Sequence, residues 1–263
     1  KFTLQDAINS KVLTSYMYYV HKIKLTENEQ IQWNNLTNRI KKIYARMQSS
    51  KKAELEFENR MKMLLIKRAR IIKSAENKTG MALDVIKKHY GENQRWIIYC
   101  DNQNQLFSVL TELHKSGYIA NEYHSNMSGD KEETLRNFEV NGGILVSIKC
   151  LDEGVDIPNV THALILASSK NPREFIQRRG RVLRKATNKP LAYVHDVIVI
   201  PKNNVDSDNP TNTSVLEGEL SRAILFGLSA ENPSSVTEIR RIALEFNINY
   251  EALVNEGYED DEE

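Results

Sequence analysis

The chain has 263 residues, a formal net charge of +1 and a hydrophobic share of 40%, which describe a protein large enough to bury a sizeable core. It contains no uninterrupted apolar run of about eighteen residues, so we expect no membrane span. Its two cysteines are too few for a disulfide framework or a zinc site, which favours a reducing, cytoplasmic location.

Charge is unevenly distributed along the chain. Residues 39–73 contain twelve lysine or arginine residues and three glutamates. A second basic cluster runs from Lys170 to Lys189, whereas Glu256 and residues 259–263 make the end of the chain acidic. Two basic regions favour a polyanionic partner, and the alternative for each is a solvated helix face.

The first predicted region is helical and extends from Lys1 to Tyr90. Thr26 and Glu29 have the spacing of a capping box, in which each side chain bonds the other residue's backbone N–H. Apolar residues recur at helical spacing after it, first in two long helices that we expect to be antiparallel and then in a shorter helix that ends near Gly91.

From Gln94 onward, short apolar runs alternate with helical patterns, which indicates an α/β fold with a parallel sheet. The predicted strands are 96–100, 118–124, 144–148, 162–167 and 191–200, and the helices between the first three are 106–115 and 130–140. Ligands of such sheets bind beyond the carboxyl ends of the strands. We therefore expect the chemistry in the loops after Cys100, His124, Ile148 and Ala167.

The last region begins with a polar linker, Asn203 to Ser214. Helices are predicted at 217–229 and 235–246, the second with a capping box from Ser235 to Glu238. Residues 257–263 are expected to be disordered because they are nearly all acidic. These patterns divide the chain into a helical arm (1–90), an α/β lobe (91–202) and a C-terminal region (203–263).

One helix carries a concentration of arginine. Asn171 is a favourable N-cap and Pro172 fits the first helical position, so we predict a helix from there to Arg184. Arg181 and Arg184 are three residues apart and share a face. Their planar, permanently charged guanidinium groups suit phosphate oxygens. The alternative is a solvated basic face on a surface helix.

The loop after the predicted strand 144–148 also has residue types that suit a ligand. Gly154 permits a close backbone approach, and Asp156 offers acceptors of the kind that bind sugar hydroxyls. Pro158 stiffens the end of the loop. The alternative is a tight turn in which the acidic residues serve only the backbone.

Taken together, residues 151–158 and 177–184 resemble motifs V and VI of superfamily 2 helicases and translocases, in the branch with XPB-type repair helicases and restriction-enzyme motor subunits. Residues 97–100 are similar to motif IV. The resemblance covers Gln94 to about Pro201, and the helices of residues 25–78 resemble the connector after the first motor lobe. It implies a RecA-like parallel sheet flanked by helices, with a long helical N-terminal arm and a helical C-terminal tail.

The resemblance also implies roles for individual residues. Arg181 and Arg184 would be arginine fingers that reach the γ-phosphate of ATP, with Gln177 organising that contact. Gly154 and Asp156 would approach the ribose. The residues that would face the nucleic-acid backbone are His124, Ser125, Ser147 and Lys149. No metal ligand is assigned to this chain.

The sequence contains no phosphate loop and no magnesium-holding strand end. The resemblance therefore implies that ATP and Mg²⁺ are bound mainly by an N-terminal RecA-like lobe, which we expect in a longer protein of which this chain is the C-terminal part. DNA would be the other partner, and this chain alone would be inactive as an ATPase. One alternative is a non-enzymatic DNA-binding module that works through the basic helices of residues 39–73. A small-molecule enzyme is disfavoured, because no glycine fingerprint or catalytic Ser, Cys or His group is present.

Overall fold

A computed structural model of the protein describes residues 4–49, 54–148, 159–167, 182–186, 189–200, 202 and 214–260. The strands are β1 (Tyr16–Lys24), β2 (Arg95–Cys100), β3 (Ala120–Tyr123), β4 (Gly143–Ile148), β5 (His162–Ile165) and β6 (Ala192–Ile200). The helices are α1 (Leu4–Asn9), α2 (Glu27–Ser49), α3 (Glu54–Lys73), α4 (Asn77–His89), α5 (Gln103–Lys115), α6 (Lys131–Asn141), α7 (Ser214–Leu228), α8 (Ser234–Glu245) and α9 (Tyr250–Asp260).

These strands form one parallel sheet in the order β1-β6-β5-β2-β4-β3. Strands β2 to β6 lie where the sequence predicts them. Nearly every residue of β2, β4 and β5 is buried, as expected for strands with helices on both faces. The predicted parallel α/β architecture is therefore confirmed.

Strand β1 is the main departure from the sequence prediction, which made residues 1–90 helical. Residues 16–24 instead pair with β6 along their whole length. The stretch begins with three tyrosines among five residues, and aromatic side chains favour strands. Tyr16 and Tyr18 are fully buried on one face of the sheet. The helical prediction for this stretch was wrong, whereas the helices predicted after it are present as α2, α3 and α4.

The outer edge of β1 is covered by the turn between α7 and α8. The Asn232 side chain accepts a hydrogen bond from the Tyr18 backbone N–H and donates one to the Tyr18 carbonyl, both at 2.8 Å. The Glu231 N–H donates to the Tyr16 carbonyl at 2.9 Å. These bonds imitate a neighbouring strand and satisfy backbone groups that an open sheet edge would leave unpaired.

The core has two main layers, one on each face of the sheet. On one face, α4 and α5 pack against residues such as Trp96 and Ile98 of β2. On the other face, α7, α8 and α9 pack against the buried tyrosines of β1 and against Ile97. Helices α2 and α3 pack against each other through a separate small cluster centred on Ile40 and Leu64.

The capping box predicted at the start of α2 is present. The Thr26 backbone N–H donates to Glu29 Oε2 at 2.9 Å, and the Glu29 backbone N–H donates to the Thr26 hydroxyl at 3.4 Å. Glu29 Oε1 also accepts from the Glu76 backbone N–H at 3.0 Å. The cap therefore joins the start of α2 to the residue that precedes α4.

The second predicted capping box, from Ser235 to Glu238, was wrong. Ser235 is buried inside α8, and its hydroxyl donates to the carbonyls of Asn232 and Gly227. Glu238 instead pairs with Lys22 and Arg241. The expectation of disorder from residue 257 also needs correction, because α9 continues to Asp260. Of the predicted linker, Asn203 to Ser214, residues 203–213 lie outside the described residues, and Ser214 begins α7.

A buried ion pair joins β6 to α7. The Arg222 guanidinium donates to both carboxylate oxygens of Asp196, at 3.2 and 3.1 Å, and to Glu219 at 3.2 Å. The Tyr18 hydroxyl donates to Asp196 at 2.9 Å. Burial alone would lower the pKa of Arg222, but the Asp196 and Glu219 carboxylates outweigh it and raise the pKa above its usual value.

Four of the six histidines gather on the face of the sheet that α4 covers, namely His21, His89, His162 and His195. The His195 Nδ1 lies 2.9 Å from the His21 Nε2, and its ring stacks on Tyr19. Trp96 stacks on His162 with ring centroids 4.4 Å apart. Burial, reinforced by neighbouring histidines, lowers the pKa of His21 and His162 to about 4 and that of His195 to about 2.

This histidine cluster predicts that the fold loses stability in mild acid. Because the folded pKa values lie below the ordinary value, the unfolded chain binds more protons between about pH 6.5 and pH 4, and stability falls as the pH drops through that window. At pH 5 each of the three histidines would cost about 2 kcal/mol. Urea unfolding at pH 7.5 and pH 5.0 measures the difference.

His195→Phe should reduce this pH dependence, because phenylalanine keeps the ring stacking without taking up a proton. His114→Gln is the matched control, since His114 lies on α5 outside the cluster and bonds the Ala120 carbonyl. Equal stability of the unaltered chain at the two pH values would contradict the interpretation.

Candidate functional site

A polar groove of about 500 Å³ lies beyond the carboxyl ends of β2, β3 and β4. Its lining consists of Asn102, Gln103, Asn104, His124, Ser125, Asn126 and Ile148. Asn102 is the N-cap of α5 and accepts from the Gln105 backbone N–H at 3.0 Å. Apart from Ile148, these side chains are uncharged amides, a hydroxyl and an imidazole, which can hydrogen-bond to phosphate or sugar oxygens.

His124 and Ser125 were both predicted to face a nucleic-acid backbone, and the structure brings them together in this groove. The His124 Nδ1 accepts from the Asn126 backbone N–H at 3.3 Å, so its Nε2 carries the proton and donates to Glu122 at 3.1 Å. The Ser125 carbonyl accepts from Lys131 Nζ at 2.8 Å. These bonds hold the loop after β3 at His124 and Ser125, and Ser125 is exposed.

The structure corrects the prediction for Ser147. This residue is fully buried in β4, between Tyr99 of β2 and Tyr123 of β3. Its hydroxyl is enclosed without a hydrogen-bond partner. The physical reason is the sheet itself, because a side chain in a central strand with both faces covered points into the core. Ser147 therefore does not present its hydroxyl to a ligand.

Arg184 has an exposed side chain and a firmly held backbone. It forms an antiparallel bridge with Leu13, and the Leu183 carbonyl accepts from the Thr14 backbone N–H at 2.7 Å. Val182 and Leu183 are buried in the core. The segment is therefore anchored to the residues that lead into β1.

Lys189 also holds the backbone at Arg184, and this role was not predicted from the sequence. Its ammonium group is buried and donates to the Arg184 carbonyl at 3.0 Å and to the Val182 carbonyl. Burial lowers the pKa of Lys189 to about 8. The sequence placed Lys189 in a basic cluster, but in the structure its buried ammonium group stabilises the backbone of residues 182–184 by hydrogen bonds.

The groove and Arg184 lie at opposite ends of the sheet. Thr14 precedes β1 and Lys189 precedes β6, so Arg184 lies near the amino ends of these strands. Arg184 therefore does not lie beyond the carboxyl ends of the strands, where the sequence predicts ligand-binding loops. Because β5 and β6 are parallel, the chain between them must return to the amino end, and Arg184 comes near the end of that return.

The remaining predicted site residues lie outside the described residues: Lys149, Gly154, Asp156, Gln177 and Arg181. The same is true of the predicted helix from Asn171 up to residue 181. Within the described ranges, no group of three or more His, Cys, Asp or Glu side chains is arranged to hold a metal ion. No helix in that part of the chain combines the length and apolar character needed to cross a bilayer.

Comparison with known protein families agrees with this fold. Residues 77–186 match the helicase conserved C-terminal domain. These residues, fewer than half of the chain, are similar to the C-terminal lobe of helicases, which confirms the predicted resemblance for this part of the chain.

Individual relatives show how far the similarity extends. A protein of Sulfolobus islandicus filamentous virus that bears the name helicase 22 is 29% identical over 133 residues, which cover 49% of this chain and 23% of the relative. The DNA 3'-5' translocase XPB2 of Sulfurisphaera tokodaii is 36% identical over 63 residues, or 24% of this chain and 14% of the relative. Other relatives are named as ATP-dependent RNA helicases.

Among solved structures, the ATP-dependent Type ISP restriction-modification enzyme LlaBIII bound to DNA aligns with 86% of this chain and 14% of that chain, at 17% identity and a TM-score of 0.47. The matched part of this chain spans less than a quarter of the length of the two curated relatives described above.

Proposed function

We propose that this chain is the C-terminal motor lobe of an ATP-dependent DNA helicase or translocase. An N-terminal RecA-like lobe of the same protein would bind most of ATP and its Mg²⁺, and this lobe would close on them. The observation that carries the proposal is the exposed Arg184 guanidinium on a backbone held by Leu13, Thr14 and Lys189. An interlobe arginine finger requires a fixed backbone and an exposed guanidinium group.

In this proposal Arg184 and Arg181 stabilise the negative charge that develops on the transferred phosphoryl group. Gln177 orients the same phosphate, and Gly154 and Asp156 approach the ribose. Because the arginines act on a nucleotide held by another lobe, this chain alone would turn over ATP negligibly.

The groove at the opposite end of the sheet would form part of the nucleic-acid track. His124 and Ser125 line it, and Lys149 follows directly after β4, whose last residue Ile148 also lines it. The nucleotide and the nucleic acid would then bind at opposite ends of the sheet. Closure of the cleft between the two lobes around ATP would therefore move the nucleic-acid groove. DNA is the proposed substrate because the resemblance is to the XPB-type and restriction branch. The cytoplasmic location inferred from the cysteine content stays a prediction.

The proposal is tested by measuring ATP hydrolysis with this chain and with a protein that contains both lobes, each with and without duplex DNA, single-stranded DNA or RNA. We expect turnover only with both lobes, and stronger stimulation by DNA than by RNA. Turnover by this chain alone at a rate similar to that of the two-lobe protein would refute the division of labour. Equal or stronger stimulation by RNA would refute the DNA assignment.

A further inference from the structure

Helices α2 and α3 form an antiparallel hairpin with its own apolar seam, which we call the basic hairpin (residues 27–73). Ile40, Ile43 and Leu64 form the centre of the seam. At a rise of 1.5 Å per residue, helices of 23 and 20 residues extend about 34 and 30 Å. The hairpin therefore has two long outer surfaces that the seam does not use.

The hairpin is fixed to the lobe at its base. The Lys73 carbonyl at the end of α3 accepts from Lys78 Nζ and from Gln105 Nε2, both at 3.2 Å. The Arg68 guanidinium is buried, stacks over Trp33 at 4.9 Å and donates to Thr37 at 3.4 Å. These contacts join α3 to α2, α4 and α5, so the outer surfaces keep a defined orientation relative to the lobe.

The outer surfaces carry exposed cations that form no ion pair within the described chain. Residues 39–73 contain twelve lysine or arginine residues against three glutamates. The exposed ones without an ion pair, among the described residues, are Arg39, Lys42, Arg60, Lys62, Lys67 and Arg70. Elsewhere in the described chain, exposed bases such as Lys115 and Arg241 do pair with glutamates.

The spacing places several of these cations in rows. Arg39 and Lys42 are three residues apart on α2, and Arg60, Lys67 and Arg70 recur on α3 at intervals of seven and three. Residues at such spacings share one face of a helix. Arg60 and Arg70 are separated by about 15 Å along the axis at 1.5 Å per residue. A row of this length matches an extended polyanion better than a small anion.

We propose that the basic hairpin binds the phosphate backbone of nucleic acid, at a surface separate from the groove and from Arg184. The inference goes beyond the proposed function, because nothing in the motor's chemistry requires this contact. Charge complementarity favours nucleic acid as the occupant, because these cations form no ion pair within the described chain. Neutralising phosphates would also release counterions from the nucleic acid. The hairpin also exposes the apolar residues Ile31, Tyr44, Met63, Leu65 and Ile66, which would suit a protein partner instead.

The test uses this chain and fluorescently labelled 20-base-pair duplexes of DNA and of RNA, in a series of salt concentrations. The variant Lys42→Gln, Lys62→Gln, Lys67→Gln removes three exposed charges from the hairpin. Its Kd at low salt should rise at least tenfold for both duplexes, since backbone contacts do not read the base sequence. The slope of log K against log salt should become shallower by about 2 to 3.

The matched control is Lys87→Gln, Lys88→Gln, Lys115→Gln, which removes three exposed lysines from α4 and α5. It changes the net charge equally and should alter the Kd less than twofold. Circular dichroism and thermal unfolding confirm that both variants fold. The inference is overturned if the two triple variants weaken binding equally, or if neither does. The second result would favour a protein partner on the exposed apolar residues instead.

Failure of this inference is distinguishable from failure of the proposed function. The binding test needs neither ATP nor a first lobe, and it leaves Arg184 and the groove unchanged. Loss of ATP hydrolysis on substitution of Arg184, with binding unaffected by the hairpin variant, would leave the motor proposal intact and remove the hairpin contact.

Discussion

Replacement of Arg184 by alanine should lower the kcat for ATP hydrolysis by about a thousandfold or more in a protein that contains both lobes. An arginine finger contributes roughly 10³ to 10⁵ in rate, because it neutralises charge that develops only in the transition state. The KM for ATP should change little, since the other lobe holds the ground-state nucleotide. Steady-state hydrolysis at saturating nucleic acid measures both constants.

The structure separates this catalytic effect from an effect on folding. The Arg184 side chain is exposed, while its backbone bonds to Lys189 and Leu13 persist in the alanine variant. The midpoint of thermal unfolding should therefore stay close to that of the unaltered protein. Arg184→Lys should not restore the rate, because an ammonium group lacks the planar fork of donors.

Arg136→Ala is the matched control for this prediction. Arg136 is an exposed arginine on α6, and its removal should leave kcat within about twofold. If Arg184→Ala retains kcat within about fivefold of the unaltered enzyme, Arg184 is not a finger.

Replacement of Arg222 by methionine should destabilise the fold by about 3 to 5 kcal/mol. The substitution leaves the Asp196 carboxylate buried without its cationic partner, and an uncompensated buried charge is strongly unfavourable. Methionine keeps much of the packing volume, so the loss is electrostatic rather than a cavity effect. Urea unfolding at pH 7.5 gives the free energy of unfolding directly.

A second substitution in the same network isolates the charge effect. Combining Arg222→Met with Asp196→Asn removes both charges, and the double variant should be more stable than Arg222→Met alone. Arg136→Met, which removes an exposed arginine, should change stability by less than about 0.5 kcal/mol. A double variant that is less stable than either single variant would show that the hydrogen bonds of this network matter more than its charge balance.

The sequence predicted the central strands because a strand that is buried on both faces consists almost entirely of apolar residues. Strands β2, β4 and β5 are short apolar runs bounded by polar residues, so their positions follow from composition. Strand β1 was missed because it stands between helical patterns, while its partner β6 lies some 170 residues later in the chain. Only that distant pairing distinguishes its tyrosines from a helical apolar face.

The site residues were predictable to different extents for physical reasons. His124 and Ser125 follow a strand, and a parallel sheet brings such loops to one edge. Ser147 is buried because neighbouring elements cover it near the end of its strand. The spacing of residues in the sequence does not predict which residues near a strand end are covered in this way. Lys189 was assigned to a charged surface because its hydrogen-bond partners are backbone carbonyls. Every residue has a backbone carbonyl, so the sequence does not indicate which ones Lys189 contacts.

The central claim is that Arg184 reaches a phosphate held by another lobe. A structure of the two-lobe protein with ADP and aluminium fluoride tests that contact directly. Aluminium fluoride imitates the phosphoryl group in the transition state of its transfer. We expect an Arg184 guanidinium nitrogen within about 3 Å of a fluoride that occupies a γ-phosphate oxygen position. An Arg184 side chain that stays in solvent while the cleft is closed around the nucleotide would contradict it.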